Sequence, residues 1–267
     1  MLGHLRIVSC NYYRIKEHSL RTGKIISASF VATALMVGSS AQAQWSLGGA
    51  VISTDASYKG LDSDTLVVPL VGYEGERFYF RGIEAGYRLN DSRRNRLSAH
   101  VTASPFRFRP RENKDPQLSQ LDSRNFSAEA GMSYQMLTRY GEVELRGGLD
   151  MRGNGHRFSA SYSFPLSRDP RKWQFGPRVG ATYISSEYTD YYYGVSAAEA
   201  ERTGLNEYSS QDAVNPFYGL GGYYRFGDRL SVLGNYRITK ISSKISNSPM
   251  AEGSRTTTLF VALSYSF

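Results

Sequence analysis

The chain has 267 residues, a formal net charge of +8, 40% hydrophobic and 13% aromatic residues, 26 glycines and a single cysteine, Cys10. One cysteine excludes an intrachain disulfide framework and a thiolate-built metal centre. There is no basic stripe interleaved with stacking aromatics, which sets nucleic acid aside as a partner, and no segment is apolar for long enough to cross a bilayer as a helix.

Residues 1–43 read as an export signal. Arg6, Arg14, Lys16, Arg21 and Lys24 form a basic leader, Ile25 to Val37 an apolar run, and Ala41-Gln42-Ala43 the small-x-small pattern that directs cleavage between Ala43 and Gln44. Cleavage would remove Cys10, five basic residues and one acidic residue, leaving residues 44–267 with 224 residues and a net charge of +4. Half of the apparent basicity therefore belongs to the leader.

The remainder is a series of short alternating segments. Trp45 to Ile52 places Trp45, Leu47, Gly49 and Val51 on one face. Thr65 to Tyr73 is apolar on both faces and interrupted by Pro69. Phe78 to Leu89 puts Ile83, Ala85, Tyr87 and Leu89 opposite Glu84, Gly86 and Arg88. Arg96 to Phe108 alternates cleanly through Ala103, then changes phase at Pro105 so that Phe106 and Phe108 become the apolar pair, as a bulge would produce. A polar loop spans 109–125.

In the middle of the chain, Ala128, Ala130, Met132 and Tyr134 alternate with Glu129, Gly131 and Ser133. Val143, Leu145 and Leu149 alternate with Glu142, Glu144, Arg146 and Asp150, and Phe158, Ala160 and Tyr162 with Ser159, Ser161 and Ser163. Trp173 to Tyr183 follows, then the longest loop, 185–214, and a hairpin of Phe217–Phe226 with Leu230–Ile241. A loop over 242–254 leads to Arg255–Phe267, where Leu263, Tyr265 and Phe267 form the aromatic end by which the barrel-assembly machinery would recognise an outer-membrane strand.

A period of two with charged or small residues in the gaps is the pattern of a wall with lipid on one side and a polar lumen on the other. The expected fold is all-β, a transmembrane antiparallel up-and-down β-barrel over residues 44–267 whose partner outside is outer-membrane lipid. Eleven segments are visible, whereas a chain with both ends on the periplasmic side needs an even number. Twelve strands are expected, the extra one before Thr65, with ten as the other solution.

No cofactor or metal-ligand set stands out. His100, with a lumenal serine and Glu129, could form a nucleophile-base-acid arrangement, but a histidine in a polar lumenal network is the better account of it. Glu142 and Glu144 lie on one face with Arg146 and Asp150, where neutralisation across the lumen is the simpler reading.

Tyr73–Gly82 (YEGERFYFRG), Tyr191, Tyr192, Tyr193, Gly194, Val195 and Ser196 (YYYGVS), Glu201–Leu205 (ERTGL) and Asn247–Met250 (NSPM) resemble the MipA/OmpV family, the family of the MltA-interacting protein. That resemblance implies a non-enzymatic outer-membrane barrel acting as a scaffold, which links a lytic murein transglycosylase with a penicillin-binding murein synthase in cell-wall growth. Murein enzymes are periplasmic, so contact would fall on the periplasmic rim, where Arg93, Arg94, Arg168, Arg171 and Lys172 occur. The Tyr191–Ser196 loop lies on the other side, where it would plug the lumen or pin the long loop. A small-solute channel or exporter, a surface adhesin and an outer-membrane enzyme are the alternatives.

Overall fold

A computed structural model describes residues 44–104, 106–166, 169 and 171–267. The export signal through Ala43, and Arg168 at the rim, lie outside the described residues. Twelve strands form one sheet: β1 (Gln44–Thr54), β2 (Asp64–Glu74), β3 (Phe78–Arg81), β4 (Glu84–Asp91), β5 (Asn95–Ser104), β6 (Ser127–Leu137), β7 (Glu142–Asp150), β8 (His156–Ser163), β9 (Trp173–Ile184), β10 (Ala213–Phe226), β11 (Leu230–Lys240) and β12 (Arg255–Ser266). Each pairs antiparallel with its sequence neighbours, and β1 closes on β12 from Ser46↔Ser266 to Thr54↔Thr258. The Phe267 amide donates to the Trp45 carbonyl at 2.9 Å, just beyond the last paired residues.

The alternation read from the sequence becomes the two faces of the wall. Val67, Phe78, Leu149 and Phe267 are exposed outward, at 72%, 65%, 65% and 67%, which a water-facing surface would not sustain in such density but hydrocarbon does. The alternate positions carry buried Arg88, His100, Glu129 and Glu144 inside. Rings pair near the periplasmic end as Trp45–Tyr73, Phe78–Tyr87, Tyr224–Phe226 and Tyr265–Phe267, with centroids 4.7–5.2 Å apart. They form the aromatic girdle expected at an interface.

The twelfth strand is not where the sequence placed it. Residues 55–63 contain no strand; instead Phe78–Leu89 divides into β3 and β4, a hairpin turned by Gly82 and Ile83 with Gly82 at φ +60. The reason is a change of parity. Phe78 and Phe80 face outward with Tyr79 buried, whereas beyond the turn Ile83, Ala85 and Leu89 face outward. A single strand cannot do both.

Because β3 is short, β2 pairs with it only from Gly72 to Glu74, with Gly82 N–H added to the Val71 carbonyl. Above that point β2 has a strand on one side only. Gly75 and Gly82 bond to Phe78 and β2 through odd-numbered β2-side positions, so Pro69, also odd, turns its missing N–H towards the unpaired edge. Proline is tolerated in a sheet at such a place.

The second correction concerns Phe106 and Phe108. β5 ends at Ser104, so there is no bulged continuation. Phe108 instead forms a bridge with Arg124 and is 1% exposed, inside the barrel mouth. The connections 75–77, 92–94, 138–141, 164–172 and 227–229 share one end with both described termini, and 55–63, 82–83, 105–126, 151–155, 185–212 and 241–254 share the other, which carries the three longest. That asymmetry makes the first end periplasmic and the second extracellular.

Candidate functional site: a capped lumen and a basic rim

The long connections fold over the extracellular mouth. Within 185–212, α1 (Ser186–Tyr193) and α2 (Ala197–Thr203) form; 105–126 contributes one-turn helices at Pro110–Glu112 and Leu118–Gln120; and 241–254 contributes α3 (Ser243–Ser246). Their apolar side chains make a single core in which Tyr58, Phe108, Leu118, Tyr192, Val195 and Met250 are at most 1% exposed.

The local chemistry that starts and stops these helices is readable. Ser185 caps α1 by accepting from Tyr188 N–H. Ser196 and Glu199 form a reciprocal capping box on α2, which ends at Gly204 in the left-handed region, φ +72.

The segments that carry the family resemblance are mostly parts of this cap. Tyr192 and Tyr193 are buried, Val195 bridges to Tyr208, and Ser196 caps α2. Ser248 donates to the Tyr193 carbonyl at 2.6 Å, and Arg202 pairs with Asp122 at 2.9 Å. Burial pushes the Tyr58 and Tyr188 hydroxyls well above an ordinary phenol, and Tyr193 up to about 12, so all three stay protonated. The fourth segment, Tyr73–Gly82, supplies the β3 turn and Glu74, whose carboxylate takes both Arg81 and Arg88.

Inside the lumen, cations and carboxylates neutralise one another across the barrel. Arg146 meets Glu84, Arg178 meets Glu144, and Arg157 meets Glu129 at 2.7 Å. Glu129 also accepts from Tyr188 Oη at 3.1 Å. His100 is buried, its Nδ1 has no hydrogen-bond partner among the described residues, and Glu129 is bonded to Arg157 and Tyr188 rather than to the histidine. Among the described residues no group of three or more histidine, aspartate or glutamate side chains is placed to hold a metal.

The periplasmic rim is different in kind. Each of its five short connections carries an exposed cation: Arg77; Arg93 and Arg94; Arg139; Arg171 and Lys172; and Arg229. Arg77 and Arg229 bond to girdle phenols, Tyr87 at 3.2 Å and Tyr265 at 3.3 Å. Among the described residues none of these rim cations is ion-paired. The structure thus brings Arg93, Arg94, Arg171 and Lys172 of the predicted contact set to one rim. Arg77, Arg139 and Arg229 stand on the same rim. Leu263, Tyr265 and Phe267 lie exposed on the outer face beside this rim.

The family model described as MltA-interacting protein MipA matches residues 47–267. The chain is 32% identical over 229 residues to the MltA-interacting protein of Escherichia coli (strain K12), covering 85% of this chain and 92% of that one. It is 29% identical over 231 residues to YiaT of the same organism, covering 86% and 94%. Among solved structures, an outer membrane channel from Pseudomonas putida F1 aligns with a TM-score of 0.47 at 9% identity, covering 89% of this chain and all of that one.

Proposed function

The chain belongs to the MltA-interacting protein family, and from that premise we propose that it is a docking barrel of the outer membrane, a non-enzymatic scaffold for murein enzymes. In this reading its periplasmic rim holds a lytic murein transglycosylase and brings it together with a penicillin-binding murein synthase. The observation that carries the reading is the set of cations, none of them ion-paired among the described residues, on every periplasmic connection, opposite a mouth filled by a packed apolar core. A transport pore needs an open lumen; a docking platform needs a presented surface.

The rim charges suit an acidic face on a soluble partner. Exposed pairs contribute little one at a time, so several acting together are required, and binding should weaken with salt. The test is retention of a purified murein transglycosylase on the immobilised barrel in detergent, with R93E/R94E/R171E/K172E as the comparison. Retention by the native rim and its loss in the variant support docking there; equal retention by both removes the rim from the account.

A further inference from the structure

Beneath the cap the lumen keeps a cavity of about 150 Å³. Its wall on the strand side is polar, with His100, Asn215 and Arg237 among the contributors, and its roof is apolar, with Phe106, Ile241 and Ile245. Two features of this lining are not accounted for by the folded chain alone.

The first is Arg237, in the middle of β11. The other lumenal arginines of the cavity, Arg146 and Arg157, each hold a carboxylate. Arg237 has none among the described residues. Its Nε donates to Thr239 Oγ1 at 3.2 Å and its guanidinium lies 3.6 Å from the centre of the Phe217 ring. The ring holds the guanidinium plane and leaves the terminal nitrogens without a protein acceptor. The second is His100, 5% exposed, whose Nδ1 has no partner although the residue lines the same space. Buried polar groups are normally satisfied, and a half-buried cation facing a lumen calls for a counter-charge.

We infer that this cavity is a binding site for a small organic monoanion, a carboxylate of about the size of benzoate, anchored by Arg237. Arg237 is the cation of this lining that has no ion pair among the described residues, and with Glu252 lining the same space it selects a single negative charge rather than two. The planar guanidinium fork matches a carboxylate in two parallel hydrogen bonds. The apolar roof takes the body of the ligand. A cavity of about 150 Å³ is of the size that accommodates benzene. The site is separate from the periplasmic rim and stands or falls without it.

The experiment is calorimetric titration of the barrel in detergent micelles with benzoate, with benzyl alcohol as its uncharged counterpart and with chloride. Saturable benzoate binding is expected, weakened about tenfold or more for benzyl alcohol and in Arg237→Gln, because a charge-assisted pair is lost in each case. Arg237→Lys keeps the charge but not the fork and should bind with an affinity between those of the native chain and Arg237→Gln. Arg225→Gln, near the periplasmic end of β10, should bind benzoate as the native chain does. Heat-modifiable gel mobility identifies any variant that has failed to close its barrel, and for such a variant the lysine substitution and the uncharged ligand carry the comparison. The inference is overturned if benzoate shows no saturable binding, if benzyl alcohol binds equally, if folded Arg237→Gln binds benzoate unchanged, or if chloride binds as tightly as benzoate.

Discussion

Tyr188, on the cap, donates its hydroxyl to Glu129 Oε1 on the lumenal wall at 3.1 Å, with both residues buried. The same carboxylate holds Arg157, whose guanidinium lies 5.0 Å from the Phe106 ring and 5.3 Å from the Tyr188 ring. One glutamate therefore fastens the extracellular cap to the barrel, and it does so from a strand that reads in sequence only as an alternating segment.

Removing either end of this fastening should have different costs. Tyr188→Phe loses two hydrogen bonds, to Glu129 and with Ser104 Oγ at 3.0 Å, and should loosen the cap by about 1–3 kcal/mol. Glu129→Ala strands Arg157 as a buried charge and should cost about 3–5 kcal/mol. Protease cleavage within 185–212 measures both, with faster cutting expected in the order native, Tyr188→Phe, Glu129→Ala. Equal resistance in all three would mean that the cap is held elsewhere.

Acid should loosen the cap through Glu199. Burial raises the pKa of this carboxyl, but the N–H groups of Ser196 and Asp122 and the Arg124 guanidinium outweigh it and hold the group below the ordinary 4.5. A carboxyl whose pKa is lowered by folding contributes stability that is full above the ordinary value and lost as pH falls through the lowered one. Protection of the α2 amides against exchange should therefore fall below pH 4.5, and Glu199→Gln should be less protected at neutral pH and respond less to acid. A flat protection profile down to the lowest pH at which the barrel stays closed would remove Glu199 from that role.

Pro69 offers a test of the unpaired edge above the β3 turn. In an ordinary central strand, replacing proline restores a ladder hydrogen bond and stabilises. Here Pro69→Ala would expose an N–H with no partner on the lipid side, and stability should fall by about 1–3 kcal/mol. Denaturant unfolding followed by heat-modifiable gel mobility measures it. A gain in stability would show that β2 has a partner along that edge.

Much of this was open to reading from the chain. A period of two is imposed by a wall between two solvents, so the outward faces of β5 to β9 could be read residue by residue, and Glu144 in the lumen was expected to find an opposite charge. The β3–β4 hairpin also left a signal. The outward residues change from even at Phe78 and Phe80 to odd at Ile83 and beyond, with Gly82 between them. Of the cap only the Tyr191–Ser196, Glu201–Leu205 and Asn247–Met250 stretches left a signal, through the family resemblance, because Phe106, Phe108, Tyr192 and Met250 are buried by contacts among four separate connections. No local period records such contacts. Arg237 is likewise unremarkable in sequence; only closure of the barrel reveals which lumenal arginine lacks a carboxylate.

The docking account is tested most directly by the affinity of a murein transglycosylase for the barrel embedded in a lipid nanodisc, titrated across ionic strength. Binding to the native rim should weaken steadily with salt and be reduced about tenfold or more in R93E/R94E/R171E/K172E at low salt, while Tyr188→Phe, at the opposite end, leaves it unchanged. Binding that ignores both salt and the four rim substitutions would contradict it.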